Sequence, residues 1–168
     1  MTRAVAPALS KDEIEELAKM VRKKFNINSY CFDVIRFLEF VLPLYDTSFD
    51  YEYVDDLPNN LYAYYNPIEN RITVLNSVYE NALNKVGRDR FTIAHEIGHY
   101  FLHRQGYKFA RTTYELPAYL DPEWQANTFA SFLLIPREKT YFLNVNEIME
   151  LCAVSKSAAK IAYKRNFQ

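Results

Sequence analysis

The three histidines of the chain all lie in one short stretch, FTIAHEIGHYFLHR, at positions 95, 99 and 103. If this stretch is helical, His95 and His99 are one turn apart on the same face, with about 6 Å between their Cβ atoms. Two imidazoles at that separation can bind one ion, because zinc takes histidine nitrogens at about 2 Å. The HExxH spacing therefore predicts a metal site with His95 and His99 as ligands.

Glu96 follows His95 directly, but on a helix it is rotated by about 100° from that residue. Its carboxylate is therefore placed to act on water beside the ion and not to share the role of the imidazoles. We predict that Glu96 is the general base of a hydrolytic reaction and that Zn²⁺ is the cofactor, with another divalent metal as an alternative. The donor that stabilises the oxyanion stays open, and Tyr107 and Tyr114 are two of several candidates.

A third protein ligand is needed, since catalytic zinc usually has three and keeps the fourth position for water. His103 lies about 12 Å from His95 along the same helix axis, so we expect it to support the ligands or to face solvent. Glu123, in the segment PEWQANTFA, is the favoured third ligand. Asp121 and Glu115 are weaker alternatives.

Two other residues indicate that the surroundings are built for a site. Asn127 follows Glu123 by four residues on the same helical face, so it can hydrogen-bond a ligand and fix its orientation. Gly98 lowers helix stability in the middle of the histidine helix, which predicts that another segment approaches the backbone closely there.

The elements that position these residues can be predicted from local patterns. Ser10 and Glu13 form a capping-box signature at the start of an amphipathic helix, and a second helix in SYCFDVIRFLEFVLP is expected to end at Pro43. The segments LYAYY and RITVLN, separated by NPIEN, predict a β-hairpin. Asp121 is expected to cap a later helix, and Ser155 is expected to begin the last one. This order predicts an α+β fold with helices and strands segregated.

Composition and charge limit the function classes. The 168 residues are 49% hydrophobic and 16% aromatic, which indicates a folded domain. We divide the chain into an N-terminal tail (1–9), a domain that contains the predicted metal site (10–136) and a C-terminal helical subdomain packed on it (137–168). The formal charge of -1 gives no global basic field, so no direct nucleic-acid binding is expected. No segment approaches the roughly 18 apolar residues of a membrane helix, and we expect a cytoplasmic protein with reduced thiols at Cys31 and Cys152.

The blocks RFTIAHEIGHYFLH and EWQANTFASFLLIP together resemble the ImmA/IrrE family of gluzincin-like zinc metallopeptidases. The resemblance is close from Gly87 to Pro136 and looser before it. It implies a minimal zincin-like fold in which His95, His99 and Glu123 bind zinc and Glu96 is catalytic. It also implies that the protein substrate is a helix-turn-helix repressor, whose cleavage relieves repression of mobile-element or stress-response genes.

Other functions stay open on the sequence alone. Lys156, Lys160 and Lys164 fall on one helical face, with Arg165 beside them, so the chain could be a binding module that holds a repressor or contacts DNA without cutting. A purely structural zinc is a further alternative. Either predicted strand of the hairpin could also align a substrate by strand addition, although the pattern favours an ordinary role in a sheet.

Overall fold

The chain begins with a short strand and a capped helix. The computed structural model describes residues 2–111 and 114–167. Strand β1 spans Thr2–Val5, and helix α1 spans Lys11–Lys24. The predicted capping box is confirmed, because the Ser10 hydroxyl accepts from the backbone N–H of Glu13 and the Glu13 carboxylate accepts from that of Ser10. The backbone of β1 pairs with a strand that comes later in the chain.

The second helical region continues past Pro43, where the sequence predicted its end. It has three joined segments, which are α2 (Val34–Arg36), a π-helical turn (Phe37–Val41) and α3 (Leu42–Tyr45). The backbone N–H of Leu42 donates to the Phe37 carbonyl, five residues earlier. This wider turn shifts the hydrogen-bond register just before Pro43. The proline therefore lies in the first turn of α3, where a missing N–H is tolerated.

The strands of the described residues form two small sheets. Strand β1 pairs antiparallel with β5, and the other sheet has the order β2-β4-β3, with β4 parallel to β2 and antiparallel to β3. The remaining strands are β2 (Asp50–Val54), β3 (Ala63–Asn66), β4 (Arg71–Leu75) and β5 (Lys108–Arg111). The β3–β4 pair is the predicted hairpin, and within the described residues β3 has β4 as its single neighbour.

The remaining helices follow the sheet in sequence. They are α4 (Asn76–Leu83), α5 (Gly87–Leu102), α6 (Pro122–Leu134), α7 (Arg137–Thr140), α8 (Val145–Cys152) and α9 (Lys156–Asn166). Short 3-10 turns occupy Pro58–Asn60 and Ala118–Leu120. The predicted caps are confirmed, because Asp121 accepts from the Glu123 backbone at the start of α6 and Ser155 accepts from the Ala158 backbone at the start of α9.

Helix α5 lies at the centre of the core. It packs against α6, α4 and β3, and α1 covers another side of α6. Ile93, Ala94 and Ile97 of α5 are fully buried, as are Phe129 and Leu133 of α6. The α5 segment is therefore buried around much of its circumference, as the sequence predicted.

Two glycines of α5 make this packing possible. A Cβ atom at Gly98 would lie 3.1 Å from the Ala126 carbonyl oxygen of α6, so the predicted close approach is present. A Cβ atom at Gly87 would lie 2.3 Å from the backbone nitrogen of Ser155, at the start of α9. The backbone of the first turn of α5 thus packs directly on the backbone at the start of α9. The backbone in the middle of α5 packs almost as closely on the backbone of α6.

Buried arginines connect helix ends across the fold. Arg90 donates to the carbonyls of Phe32, Cys152 and Ala153, which ties α5 to the end of α8. Arg165 of α9 donates to the Ile135 carbonyl at 2.7 Å and to Ser131. These guanidinium groups satisfy carbonyls that the ends of helices leave without partners.

The fold bears on the predicted fold class, the membrane helices and the cysteines. The observed architecture is a mixed α+β fold with small sheets. No helix in the described residues is both long and apolar enough to cross a bilayer. The division into tail, domain and subdomain stays a prediction, and its end residues Met1 and Gln168 lie outside the described part of the chain. Cys152 is buried and Cys31 is partly exposed, and both are free thiols.

Candidate metal centre

Two helices bring the candidate ligands together. Helix α5 supplies His95, Glu96 and His99, and the first turn of α6 supplies Glu123. The side chain of Asp121 accepts from the Glu123 N–H at 3.0 Å, so it fixes the start of α6. Because Gly98 has no side chain, α6 lies close enough for Glu123 to reach both imidazoles.

The three candidate ligand side chains lie close together. The Nε2 atoms of His95 and His99 are 2.9 Å apart, the Oε2 of Glu123 is 3.2 Å from the Nε2 of His95, and the Oε1 of Glu123 is 3.3 Å from the Nε2 of His99. In a tetrahedral site with bonds of about 2 Å, neighbouring ligand atoms are about 3.3 Å apart. The contacts among the three side chains therefore have the lengths expected between neighbouring ligands of one zinc ion.

The far side of the His95 ring determines where its proton sits. Its Nδ1 is 2.8 Å from the Asn127 side-chain oxygen, which can only accept a hydrogen bond. The Nδ1 of His95 therefore carries the hydrogen in the neutral ring. Its Nε2 presents a lone pair to Glu123 and His99.

A chain of hydrogen bonds determines in the same way which nitrogen of the His99 ring carries the hydrogen. The Gln125 amide nitrogen donates to the carbonyls of Pro7 and Tyr119, both at 2.8 Å, so its oxygen must face the Nε2 of His103, at 2.7 Å. His103 therefore donates from Nε2 and accepts at Nδ1. That Nδ1 is 2.9 Å from the Nδ1 of His99, which accordingly donates and leaves the Nε2 of His99 with a lone pair.

The resulting donor set fits a cation. Two imidazole lone pairs and one carboxylate point at the same small space, and each repels the others unless a positive charge lies between them. Nitrogen and carboxylate donors of this kind suit Zn²⁺. His95, His99 and Glu123 are also the group of metal-ligating side chains in the described residues whose donor atoms lie within 4.8 Å of one another.

The electrostatics of the cluster follow from the same contacts. When a proton takes the place of an ion, the Nε2 atoms of His95 and His99 donate to Glu123 instead, and these hydrogen bonds lower the pKa of Glu123 far below its usual range. Burial disfavours the charged form of His95, but the hydrogen bond with Glu123 and the charge of Glu96 outweigh it and raise the pKa of His95. Burial lowers the pKa of His103 to about 4, so this ring is neutral near pH 7.

Glu96 lies beside the three candidate ligands and is not one of them. Its side chain is buried, with 7% of the residue exposed, and this burial raises the pKa of the carboxyl. The backbone of Tyr65 opposes this rise by favouring the charged carboxylate. Since Tyr65 belongs to β3, Glu96 is close to that strand as well as to the imidazoles.

The other residues considered from the sequence have different positions. The Tyr107 hydroxyl is 2.6 Å from the Nδ1 of His99, on the side of the ring that faces away from Glu123. Tyr114 and Glu115 are exposed, and Asp121 caps α6. Arg165 is buried against α6, so it does not share the exposed face of the C-terminal lysines.

Sequence reasoning missed Gln125. Its fully buried amide makes three hydrogen bonds that fix the orientation of His103. One signal was available, because Gln125 is a polar residue that a helical wheel places on the inward side of α6, between Glu123 and Phe129. Its partners Pro7 and Tyr119 could not be foreseen, since they lie on separate segments.

The sequence matches the model of a known protein family. The model of the IrrE N-terminal-like domain, peptidase family M78, matches residues 55–161, which is more than half of the chain. The chain belongs to this peptidase family. The family resemblance that the sequence blocks indicated is thereby confirmed, and the matched range contains both helices of the candidate metal centre.

A solved structure gives a second comparison for this M78 family member. A Mycobacterium tuberculosis transcriptional regulator has a similar fold, with a TM-score of 0.58 at 14% sequence identity. The match covers 88% of the present chain and 45% of that regulator, so the chain spans about half of its length. No curated protein sequence matches the chain.

Proposed function

We propose that the protein is a zinc-dependent endopeptidase that cleaves a helix-turn-helix transcriptional repressor, which would relieve repression of mobile-element or stress-response genes. One observation carries the proposal. The donor atoms of His95, His99 and Glu123 lie within 4.8 Å of one another beside the buried Glu96. Membership in a peptidase family supports hydrolysis of a peptide bond. The repressor as substrate is what the family resemblance implies.

In this proposal each side chain has a separate role. His95, His99 and Glu123 hold the ion, and Asn127 and His103 orient the two imidazoles. When bound, zinc supplies a Lewis acid for water and for the scissile carbonyl. Glu96 takes the proton of the attacking water and returns it to the leaving amine, and its raised pKa brings the carboxylate closer to the working range of a general base.

The position of β3 supports a substrate in extended form. This strand has one neighbour among the described residues, and its Tyr65 backbone contacts Glu96. A substrate strand paired with the open side of β3 would pass next to the general base. Strand addition of this type supplies affinity through backbone hydrogen bonds and leaves side chains to set specificity.

The decisive experiment is to incubate the purified, zinc-loaded protein with the helix-turn-helix repressor encoded next to it. We expect one defined cut in the repressor, located by mass spectrometry, and no cut after treatment with a chelator. Addition of zinc should restore the cut. An intact repressor in every arm, with zinc bound and the protein folded, would refute the proposal.

Two variants separate catalysis from folding. Glu96→Gln should keep zinc content and stability but abolish the cut, because it cannot accept a proton. Glu115→Gln is the matched control, since that glutamate is exposed and lies outside the metal cluster. It should cleave at the parental rate.

A second candidate function has one observation in its favour. Lys156, Lys160 and Lys164 are exposed on one face of α9, as a surface that binds an acidic partner would require. The protein would then regulate by holding a repressor or DNA without cutting, although the formal charge of -1 does not favour DNA. If Glu96→Gln relieves repression in cells as well as the parent does, this function replaces the enzymatic one.

A further inference from the structure

A long groove lies on the other side of Asn127 from the metal centre. It has a volume of about 950 Å³ and runs between α5, α6 and α9. The lining residues recur at helical spacing on each helix, so one face of every helix forms a wall. Along α6 the walls extend from Trp124 to Phe132, which corresponds to about 12 Å, or two turns of a helix.

The groove is apolar inside and basic around it. Phe91, Trp124 and Ile161 supply much of its apolar surface, and Ile161 is 64% exposed. The charged residues that line it among the described residues are all cationic, namely Lys11, Arg88, Lys164 and Arg165. Arg88 is partly neutralised by buried Asp89 and Arg165 is itself buried, so the exposed Lys11 and Lys164 carry most of the available charge.

Two residues connect the groove to the metal centre. Asn127 lines the groove, and its side-chain oxygen is 2.8 Å from the Nδ1 of His95. Thr92 also lines it, and this residue lies one helical turn before Glu96 on α5. A chain held in the groove is therefore held directly next to the proposed active site.

We propose that this groove binds an amphipathic helix of the protein substrate, with the apolar face of that helix against Trp124 and Ile161 and acidic residues beside Lys11 and Lys164. The groove has the length of two helical turns, and helices commonly bind such grooves through apolar residues at i, i+3, i+4 and i+7. Its cationic surroundings select acidic flanks over basic ones. The proposal rests on the proposed peptidase function, because the occupant is part of the substrate.

The structure supplies its own reporter for a binding test. Trp124 is the single tryptophan of the chain and lines the groove, so its fluorescence should respond to an occupant. The protein for this test is the zinc-loaded Glu96→Gln variant, which should bind without cutting. The probe is a tryptophan-free, alanine-based peptide of about 16 residues, a length that supports partial helix formation. It carries leucine at i, i+3, i+4 and i+7 and glutamate beside them, and a matched peptide carries lysine in place of glutamate.

We expect the glutamate peptide to change Trp124 fluorescence saturably and the lysine peptide to bind about tenfold more weakly. In the Glu96→Gln background, Ile161→Asp should weaken binding of the glutamate peptide about tenfold or more. The matched control is Met20→Asp, because Met20 is 62% exposed on α1 and does not line the groove. Lys164→Glu should weaken binding of the glutamate peptide, whereas Lys160→Glu on the same helix should not.

Several outcomes would overturn the groove proposal. These are equal affinity for both peptides, no saturable signal with either, or equal losses in the groove variants and their controls. The failures of the two proposals are also distinguishable. If the active protein cuts the repressor and the Ile161→Asp and Lys164→Glu variants cut it equally fast, the groove proposal fails and the peptidase proposal stands. If peptides bind as expected but the active protein cuts nothing, the peptidase proposal fails instead.

Discussion

The first turn of α5 is held by backbone contact and a buried guanidinium group, whereas its last two turns are held by hydrogen bonds between side chains. At the first turn, Gly87 touches the start of α9 and Arg90 bonds three carbonyls. At the other end, His95 and His99 depend on Asn127 and Gln125 for their orientation. The comparison indicates that the first turn of α5 stabilises the fold, whereas its last two turns hold the candidate metal ligands in a fixed orientation.

The largest effect is expected where the first turn touches α9. Gly87→Ala places a Cβ atom 2.3 Å from the Ser155 backbone nitrogen, a distance that no packed structure accommodates. We expect the free energy of unfolding to fall by more than about 3 kcal/mol. Urea unfolding followed by circular dichroism measures this change. Parental stability would show that the contact between α5 and α9 does not anchor the helix.

Arg90 is the second anchor of the same turn. Arg90→Met leaves the carbonyls of Phe32, Cys152 and Ala153 without a donor inside the protein, and we expect a loss of about 3 kcal/mol. Arg36→Met is the matched control, because Arg36 is exposed, and it should change stability by less than about 0.5 kcal/mol. Equal losses in the two variants would contradict the role assigned to Arg90.

At the other end of α5 the expected effect is on metal affinity. Gln125→Leu and His103→Leu each break the chain of hydrogen bonds that fixes His99, and we expect zinc affinity to fall by about 10- to 100-fold in each. The double variant should lose little more than either single variant, since both act through one ring. Competition with a chromophoric chelator measures the affinity. Strictly additive losses would show that the two residues act separately.

Asp46 accepts a hydrogen bond from Tyr100 at the same end of α5, and its contribution to stability depends on pH. Burial disfavours its carboxylate, but hydrogen bonds from Ser48, Asn70 and Tyr100 outweigh burial and hold the pKa of Asp46 well below its usual range. Arg104 also lies 2.8 Å from it. Because the folded pKa is lowered, the stabilisation is complete above the unfolded pKa of about 3.9 and is lost as the pH falls below that value.

The Asp46→Asn variant tests this link. It should be less stable than the parent by about 1 to 2 kcal/mol at neutral pH, and the difference should shrink as the pH falls from about 5 to about 2. Urea unfolding at a series of pH values measures it. A difference that stays constant with pH would contradict the assignment.

The smallest change in stability is expected at Gly98. A Cβ atom there meets the Ala126 carbonyl oxygen at 3.1 Å, so α6 must move by a few tenths of an ångström. The gain in helix propensity offsets this strain, and we expect Gly98→Ala to change stability by less than about 1 kcal/mol. Zinc affinity should nevertheless fall, because the displaced α6 carries Glu123. If stability falls as far as in Gly87→Ala, the two ends of α5 do not differ in the way inferred.

Local sequence patterns predicted the elements of the fold well. The capping box at Ser10, the cap at Asp121, the hairpin and the close approach at Gly98 depend on neighbouring residues or on one missing side chain. Such features leave a local signal, either in the spacing of neighbouring residues or in a glycine inside a helix, so they are visible in the sequence. The continuation of helix past Pro43 was missed, because a π-helical turn changes the hydrogen-bond register without a clear sequence signal.

Some residues of the candidate site could be predicted from local patterns, and others could not. The spacing of His95 and His99 follows from helix geometry, and Glu123 was favoured by the motif around it. Gln125 was missed because its role depends in part on the carbonyl of Pro7, which is 118 residues away in the sequence. The groove was missed for the same reason, since its walls come from three helices whose packing cannot be derived from any one of them.

Gln125 has a consequence for how this protein is handled. Its amide donates to the carbonyl of Pro7, which follows β1. The segment after β1 is therefore linked by hydrogen bonds, through Gln125 and His103, to the His99 imidazole. A bulky affinity tag or dye attached ahead of Thr2 that displaced β1 would also disturb the hydrogen bond between Pro7 and Gln125. The same label behind α9 would be attached to a different segment. Labels intended to leave the chemistry undisturbed therefore belong at the carboxyl end.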